Sequence, residues 1–164
     1  MSARAHLDSV RLIKVTDRDG HEEQAMAGTA REAMTGSTEC VGENETALDA
    51  ARKMAQLSVG ALPICGENHR LKGMITDRDI VVKVLAEGGD PTSVTAGSLG
   101  QGKPVTIGAD DSLSEALRTM AEHKVRRLPV IDGHDLVGML SQADLAKALP
   151  ADQAGQLIQT ISED

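Results

Sequence analysis

Two eight-residue stretches of this chain set the same groups in the same order: Gly73–Ile80 reads GMITDRDI and Gly138–Leu145 reads GMLSQADL. Each places a hydroxyl three residues ahead of a carboxylate, Thr76 before Asp79 and Ser141 before Asp144, where an apolar run gives way to a helix-forming one. Two kinds of chemistry suit that spacing. A Ser or Thr that ends a strand accepts a hydrogen bond from the N–H three residues on. The acid there accepts one in return, so the pair caps a helix. The same groups also suit a nucleoside. Free N–H groups and partial positive charge at a helix start favour a phosphate, and a first-turn carboxylate accepts from a ribose diol. The aliphatic strand before it supplies a slot for a base. Capping explains each phrase taken singly.

The elements that position these groups form a repeat. Pro63 in GALPIC and Pro129 in RRLPVI are 66 residues apart, and that offset also aligns Thr29 with Thr95, Val41 with Ile107, Ala50 with Ala116, Arg52 with Arg118 and Met54 with Met120. After the prolines the offset drops to 65, because the turn GENHR is one residue longer than its counterpart around DGHD. Such length differences belong in loops. Each copy reads β-α-β-β-α. A short strand, TECV or PVTI, precedes a helix with apolar residues at i, i+3, i+4, i+7: Ala47, Ala50, Ala51, Met54, and Leu113, Ala116, Leu117, Met120. Thr46-x-x-Asp49 and Ser112-x-x-Glu115 stand as N-terminal caps, the second as a full capping-box pattern. Two apolar strands joined by a tight polar turn follow, Ala61–Cys65 with Leu71–Ile75 and Leu128–Ile131 with Leu136–Leu140. The last helix begins at the phrase and stops near Gly88-Gly89 or Pro150.

The chain therefore divides into an extension (1–28), a first repeat (29–88), a linker (89–94, in GGDPTS), a second repeat (95–150) and a tail (151–164). Single repeats of that size bury too little surface to be comfortable alone. The expected fold is α+β, with two β-α-β-β-α repeats packed through their sheets about a pseudo-twofold axis. In the extension, VRLIKVTDRDG either adds an edge strand ending in an Asp-Gly turn or is mobile. Asp17-x-Asp19-Gly20 resembles the start of a calcium loop, but position 12 falls on Gly28 rather than Glu, so no metal is expected there.

Composition narrows the function. A net charge of −8 opposes non-specific binding to nucleic acid or anionic membrane. Phe, Tyr and Trp are absent, so the core must be Leu, Ile, Val, Met and Ala, and there is no aromatic platform for single-stranded nucleic acid. No apolar run approaches membrane-spanning length, and the first residues lack the apolar region of a signal peptide. The expected location is cytoplasmic. Cys40 and Cys65 fit no zinc pattern. They are either two half-buried small residues or a bridge. Strand order lays the first two strands of a repeat side by side, within the Cα range that a disulfide needs, whereas a cytoplasmic setting keeps thiols reduced.

The repeat order, the LPV strand followed by Asp, and the G-h-h-[ST]-x-x-D phrase (h apolar), found twice in register, resemble a tandem pair of CBS domains, the Bateman module, over about Thr29 to Pro150. The resemblance implies a regulator rather than a catalyst, with no required cofactor and with AMP, ADP, ATP or S-adenosylmethionine as ligand. It implies that Asp79 and Asp144 hold ribose, with Thr76 and Ser141 near ribose or phosphate. Val41, Ala61, Pro63 and Ile64 in the first copy, and Val105, Ile107, Leu128, Pro129 and Val130 in the second, would line adenine slots. EHKVRRLPVID resembles the repeats of nucleotide-sensing regulatory subunits, making Arg126 and Arg127 phosphate contacts. The first copy has Gly60-Ala61 there, and has Arg78 in its phrase where the second has Ala143. Such modules dimerise or act on a separate protein partner, and a homodimer is expected.

Three other readings stand beside this one. No P-loop, GxSxG, HExxH or carboxylate pair with a base marks an enzyme. A ligand-free dimeric stress or interaction protein would carry the same repeats, and Cys40 and Cys65 would suit a thiol-responsive one. His6, His21, His69, His123 and His134 are scattered, with no i, i+4 pair on one helix face, and read as surface residues that bind zinc weakly at most.

Overall fold

The computed structural model describes residues 13–16, 22–25, 28–100, 102–149 and 151–162 of the 164-residue chain. β1 (Ile13–Thr16) and β2 (Glu22–Ala25) pair antiparallel, with Ile13 opposite Ala25. The described strands of the extension thus pair with each other as a two-stranded ribbon rather than with a strand of either repeat. Asp17, Asp19 and Gly20 lie outside the described residues.

The body of the first repeat is β4 (Val41–Gly42), α2 (Ala47–Leu57), β5 (Ala61–Cys65) and β6 (Leu71–Thr76). The sheet order is β4-β5-β6, with β4 parallel to β5 and β5 antiparallel to β6. α3 (Asp77–Asp79) runs straight into a π-helical segment, Ile80–Leu85. Val41, Ala47, Ala50, Met54, Leu62, Ile64, Ile75, Ile80 and Val84 pack together as its aliphatic core. The second repeat builds β7 (Ile107–Gly108), α5 (Leu113–His123), β8 (Arg127–Asp132), β9 (Asp135–Ser141) and α6 (Gln142–Ala148). Its sheet has the order β3-β9-β8-β7, where β3 (Thr35–Gly36) comes from the leading segment of the first repeat. Met120, Leu128, Val130, Leu140 and Leu145 are fully buried there.

The first strands are two residues long and begin later than TECV and PVTI suggest, so Cys40 precedes β4. Side chains close them off after the glycine. Glu45 Oε2 accepts from the N–H of Gly42 at 2.6 Å, and Asp111 Oδ2 from that of Gly108 at 2.8 Å. At the head of PVTI, Pro104 has no N–H to give a ladder. The parallel register sets Val41 opposite Ile64 and Gly42 opposite Cys65. Cys40 and Cys65 form a disulfide with their Cα atoms 5.7 Å apart.

The helix caps depart from the sequence reading at one point. Thr46 and Asp49 exchange both bonds of a capping box. Ser112 accepts from the N–H of Glu115 at 3.1 Å, but Glu115 turns its carboxylate to Arg118, also at 3.1 Å, rather than back to Ser112. A nearby guanidinium outcompetes the distant N–H.

Each repeat lends its leading segment to the other. Ala30 and Arg31, the first two residues of α1 (Ala30–Ala33), donate N–H bonds to the carbonyls of Asp111 and Ala109, both at 2.9 Å, and Leu113 donates to Gly28 at 3.2 Å. Adding or subtracting 66 reproduces the set: Ala96 and Gly97 of α4 (Ala96–Leu99) donate to Glu45 and Glu43 at 2.7 and 2.9 Å, and Ala47 donates to Val94 at 2.8 Å. The described residues accordingly fall into two compact units. One joins the chain up to Thr35 with 107–130 and 139–162, the other joins 36–106 with 131–138. Residues read as a tail form a further helix, α7 (Ala151–Ser162), which packs on α5 and α6.

Candidate functional site

Both phrases fold into the same turn. β6 ends at Thr76 and β9 at Ser141, each with extended backbone, and the chain turns into a helix at the next residue. Asp79 Oδ2 accepts from the N–H of Thr76 and from its hydroxyl, both at 2.9 Å, while Thr76 Oγ1 accepts from the N–H of Asp79 at 3.1 Å. Asp144 Oδ2 accepts from Ser141 N–H at 2.9 Å and from its hydroxyl at 2.8 Å, with the return bond at 3.1 Å. Each box leaves Oδ1 of the aspartate outside it.

The repeats differ in what Oδ1 meets. In the first, Lys83 Nζ sits 2.8 Å from Asp79 Oδ1, one helical turn on, and Asp79 is only 9% exposed. Burial pushes its carboxyl up, but the bonds from Lys83 and from the N–H and hydroxyl of Thr76 outweigh it and hold the pKa below the ordinary Asp value. In the second, the residue four beyond Asp144 is Ala148, and no cation among the described residues pairs with Asp144. Beside it, the Gln142 Oε1 is buried without a hydrogen-bond partner. Such atoms are rare and invite a donor. Lys83 was legible as a charge at i+4 from Asp79; nothing in the sequence marked Gln142.

Of the residues expected to line base slots, Val41, Pro63, Ile64, Ile107, Leu128, Pro129 and Val130 are buried, while Ala61 and Val105 are half-buried. Strand pairing sets Ala61 opposite Thr76, bringing slot and phrase to one edge. Arg126 and Arg127 are exposed at the start of β8, and the Arg126 carbonyl accepts from the N–H of Gln142 at 2.9 Å, which ties them to the second phrase. The matching bond in the first repeat runs from Asp77 N–H to Gly60 at 3.0 Å. There a Cβ on Gly60 would come 3.1 Å from the Asp77 carboxylate, so that edge is crowded where the second carries arginine. Arg78 is exposed. Among the described residues no three His, Cys, Asp or Glu side chains gather in a way that could hold a metal, and His6 and His21 lie outside them.

A pair of β-α-β-β-α repeats with exchanged leading segments and a capped hydroxyl–carboxylate turn in each defines the class. This chain belongs to the CBS domain family, which matches residues 30–86 and 96–151. It is similar to hypoxic response protein 1 of Mycobacterium tuberculosis, 48% identical over 133 residues that cover 81% of this chain and 93% of the relative. It is similar also to the CBS domain-containing protein YhcV of Bacillus subtilis, 38% identical over 139 residues, 82% and 95% of the two chains. Among solved structures, hypoxic response protein I with two coordinated zinc ions superposes with a TM-score of 0.70 at 50% identity, over 75% of this chain and 100% of that one. CBSX2 in complex with AMP superposes with a TM-score of 0.64 at 26% identity, over 77% and 98%. No described helix is long and apolar enough to cross a membrane.

Proposed function

We propose that this chain is a stand-alone regulatory module that senses an adenosine-containing ligand (AMP, ADP, ATP or S-adenosylmethionine) and acts as a homodimer or on a separate protein, as a regulator in the cytoplasm rather than as an enzyme. The observation that carries the reading is the second phrase. There Asp144 keeps one carboxylate oxygen outside its capping box, the unpartnered Gln142 Oε1 belongs to the same turn, and the Gln142 N–H bonds to the carbonyl of Arg126, which with Arg127 is exposed. Ribose hydroxyls suit the first, an amine or hydroxyl donor the second, and phosphate the arginines. Thr76, Arg78 and Asp79 are the counterparts in the first repeat, where a ligand has to displace Lys83. The AMP held by CBSX2, another member of the family, supports the ligand class.

Ligand at about 100 times its dissociation constant stabilises a fold by about 2.7 kcal/mol, which for a chain of this size raises the melting temperature by roughly 5–10 °C. The melt is followed by far-UV circular dichroism, because Trp and Tyr are absent. AMP, ADP, ATP and S-adenosylmethionine are each tried near millimolar, with zinc as a separate arm. Asp144→Ala is expected to remove the shift while costing about 1 kcal/mol as a lost cap partner. If none of the four moves the melt, or Asp144→Ala responds as the parent does, the phrases are caps alone. A response to zinc alone would redirect the reading to a metal.

A further inference from the structure

The two phrases offer a ribose different numbers of acceptor positions. A cis-diol brings two hydroxyl donors, and each oxygen of an ionised carboxylate accepts about two hydrogen bonds. In both repeats Oδ2 of the aspartate already accepts two, from the N–H and the hydroxyl of Thr76 or of Ser141. Both hydroxyls of a diol must therefore be served by Oδ1.

The second repeat allows this. Oδ1 of Asp144 lies outside the capping box, and no cation among the described residues pairs with Asp144. In the first repeat Lys83 Nζ stands 2.8 Å from Asp79 Oδ1 and takes one of its positions. The two hydroxyls cannot both be served until the lysine leaves. Ile80 and Val84 are buried in the core of that repeat, which fixes the rotation of the π-helical segment that carries Lys83. The Lys83 side chain is 38% exposed and that of Asp79 12%, so a ligand arriving from solvent meets the lysine first. A ligand that has to break such a charge-assisted bond loses roughly tenfold in affinity or more. Shifted by 65, Lys83 becomes Ala148, so the second repeat has no equivalent.

Charge at the neighbouring edge favours the same repeat. The Gly60 carbonyl accepts from Asp77 N–H as the Arg126 carbonyl accepts from Gln142 N–H, so the two edges correspond residue for residue. Where the second edge carries Arg126, Arg127 and the neutral Gln142, the first carries Gly60, Ala61 and Asp77. The Asp77 carboxylate stands 3.1 Å from where a Cβ on Gly60 would be. Arg78 offsets that charge, which leaves the first edge neutral and the second doubly positive. A phosphate is drawn to the second.

We infer that each chain binds one adenosine-containing ligand, at the second repeat, and that Lys83 is the residue that closes the first. The inference rests on the ligand-sensing role proposed above and counts its sites. The test is isothermal titration calorimetry of the full chain with AMP, ADP, ATP and S-adenosylmethionine in turn. The parent should take one ligand per chain. Asp79→Ala should still take one, and Asp144→Ala none. Lys83→Met should take two, and adding it to Asp144→Ala should restore one, a gain of roughly tenfold or more in affinity. Lys83→Arg, which keeps the cation, should stay at one. Two ligands on the parent, or one that Asp79→Ala removes and Asp144→Ala leaves, overturns the inference while the ligand-sensing role stands. A single ligand on Lys83→Met, or two on Lys83→Arg, overturns the part given to Lys83. A parent and a Lys83→Met chain that both ignore all four compounds overturn the ligand-sensing role and the inference with it.

Discussion

At the scale of single residues, Asp79 and Asp144 show how one motif takes two electrostatic states. Both accept from a preceding N–H and hydroxyl, yet Lys83 at 2.8 Å completes the first and no cation among the described residues meets the second. For Asp79 the folded pKa lies below the unfolded value, so its contribution to stability is complete at neutral pH and is lost as the pH falls through the folded pKa. Lys83→Met removes the main bond opposing burial. It should raise the Asp79 pKa, seen in an NMR titration of its carboxyl carbon. It should cost about 1 kcal/mol at pH 7, the upper end for a partly exposed pair, and the difference from the parent should fade below the pKa values. Urea unfolding at pH 7 and near pH 3 measures this; an equal loss at both would mean that Lys83 stabilises through its methylenes and not its charge.

At the scale of elements, the exchanged leading segments are the least forgiving parts. Gly97 opens the second turn of that contact, and a Cβ on it would stand 2.7 Å from the Glu43 carbonyl, the same oxygen that accepts its N–H. Backbone is on both sides of the clash, so neither can step aside. Gly97→Ala should destabilise by about 1–3 kcal/mol, as overpacking usually does, while Arg31, the counterpart in the first repeat, shows that the other copy leaves room for a side chain there. The helix caps give a second comparison. Thr46→Ala breaks a reciprocal box and should cost near 2 kcal/mol, whereas Ser112→Ala loses one accepted bond and should cost nearer 0.5. Urea melts that rank these two variants the other way would show that Glu115 is free to close the box in solution.

At the scale of the whole molecule, a core without aromatic side chains leans on a covalent tie. The Cys40–Cys65 bridge closes a loop with a sequence separation of 25, which on the chain-entropy account is worth roughly 3 kcal/mol. Reduction, or Cys40→Ala with Cys65→Ala, should lower the melting temperature by roughly 6–12 °C at this chain length. Calorimetry with and without reductant reads the change directly, and coincident melts would show that the parallel β4–β5 contact holds the ends together unaided.

Much of this was legible beforehand. The offsets of 66 and 65 named the β-α-β-β-α core of the two copies, though not the leading helices α1 and α4, because a repeat must carry the same apolar periodicity and turn residues wherever it builds the same local structure. Thr76, Asp79, Ser141 and Asp144 stood out because capping acts over three residues, within the reach of local sequence. Strand order likewise brought Cys40 to Cys65, since a β-α-β crossover leaves few ways to lie. What the sequence did not disclose depends on distant partners. The exchange of α1 and α4 between repeats joins groups tens of residues apart, and the orphaned Gln142 Oε1 appears only once its surroundings are packed. The repeat itself hid α7, because nothing in the first copy corresponds to it. Which Asp keeps an open oxygen, and which helical segment carries exposed apolar side chains, follow from differences between the two halves: Lys83 against Ala148, Val81 and Val82 against Ala146 and Lys147. Local pattern determined the two repeats; only packing decided which of their sequence differences matter, because a side chain's partners are set by the fold.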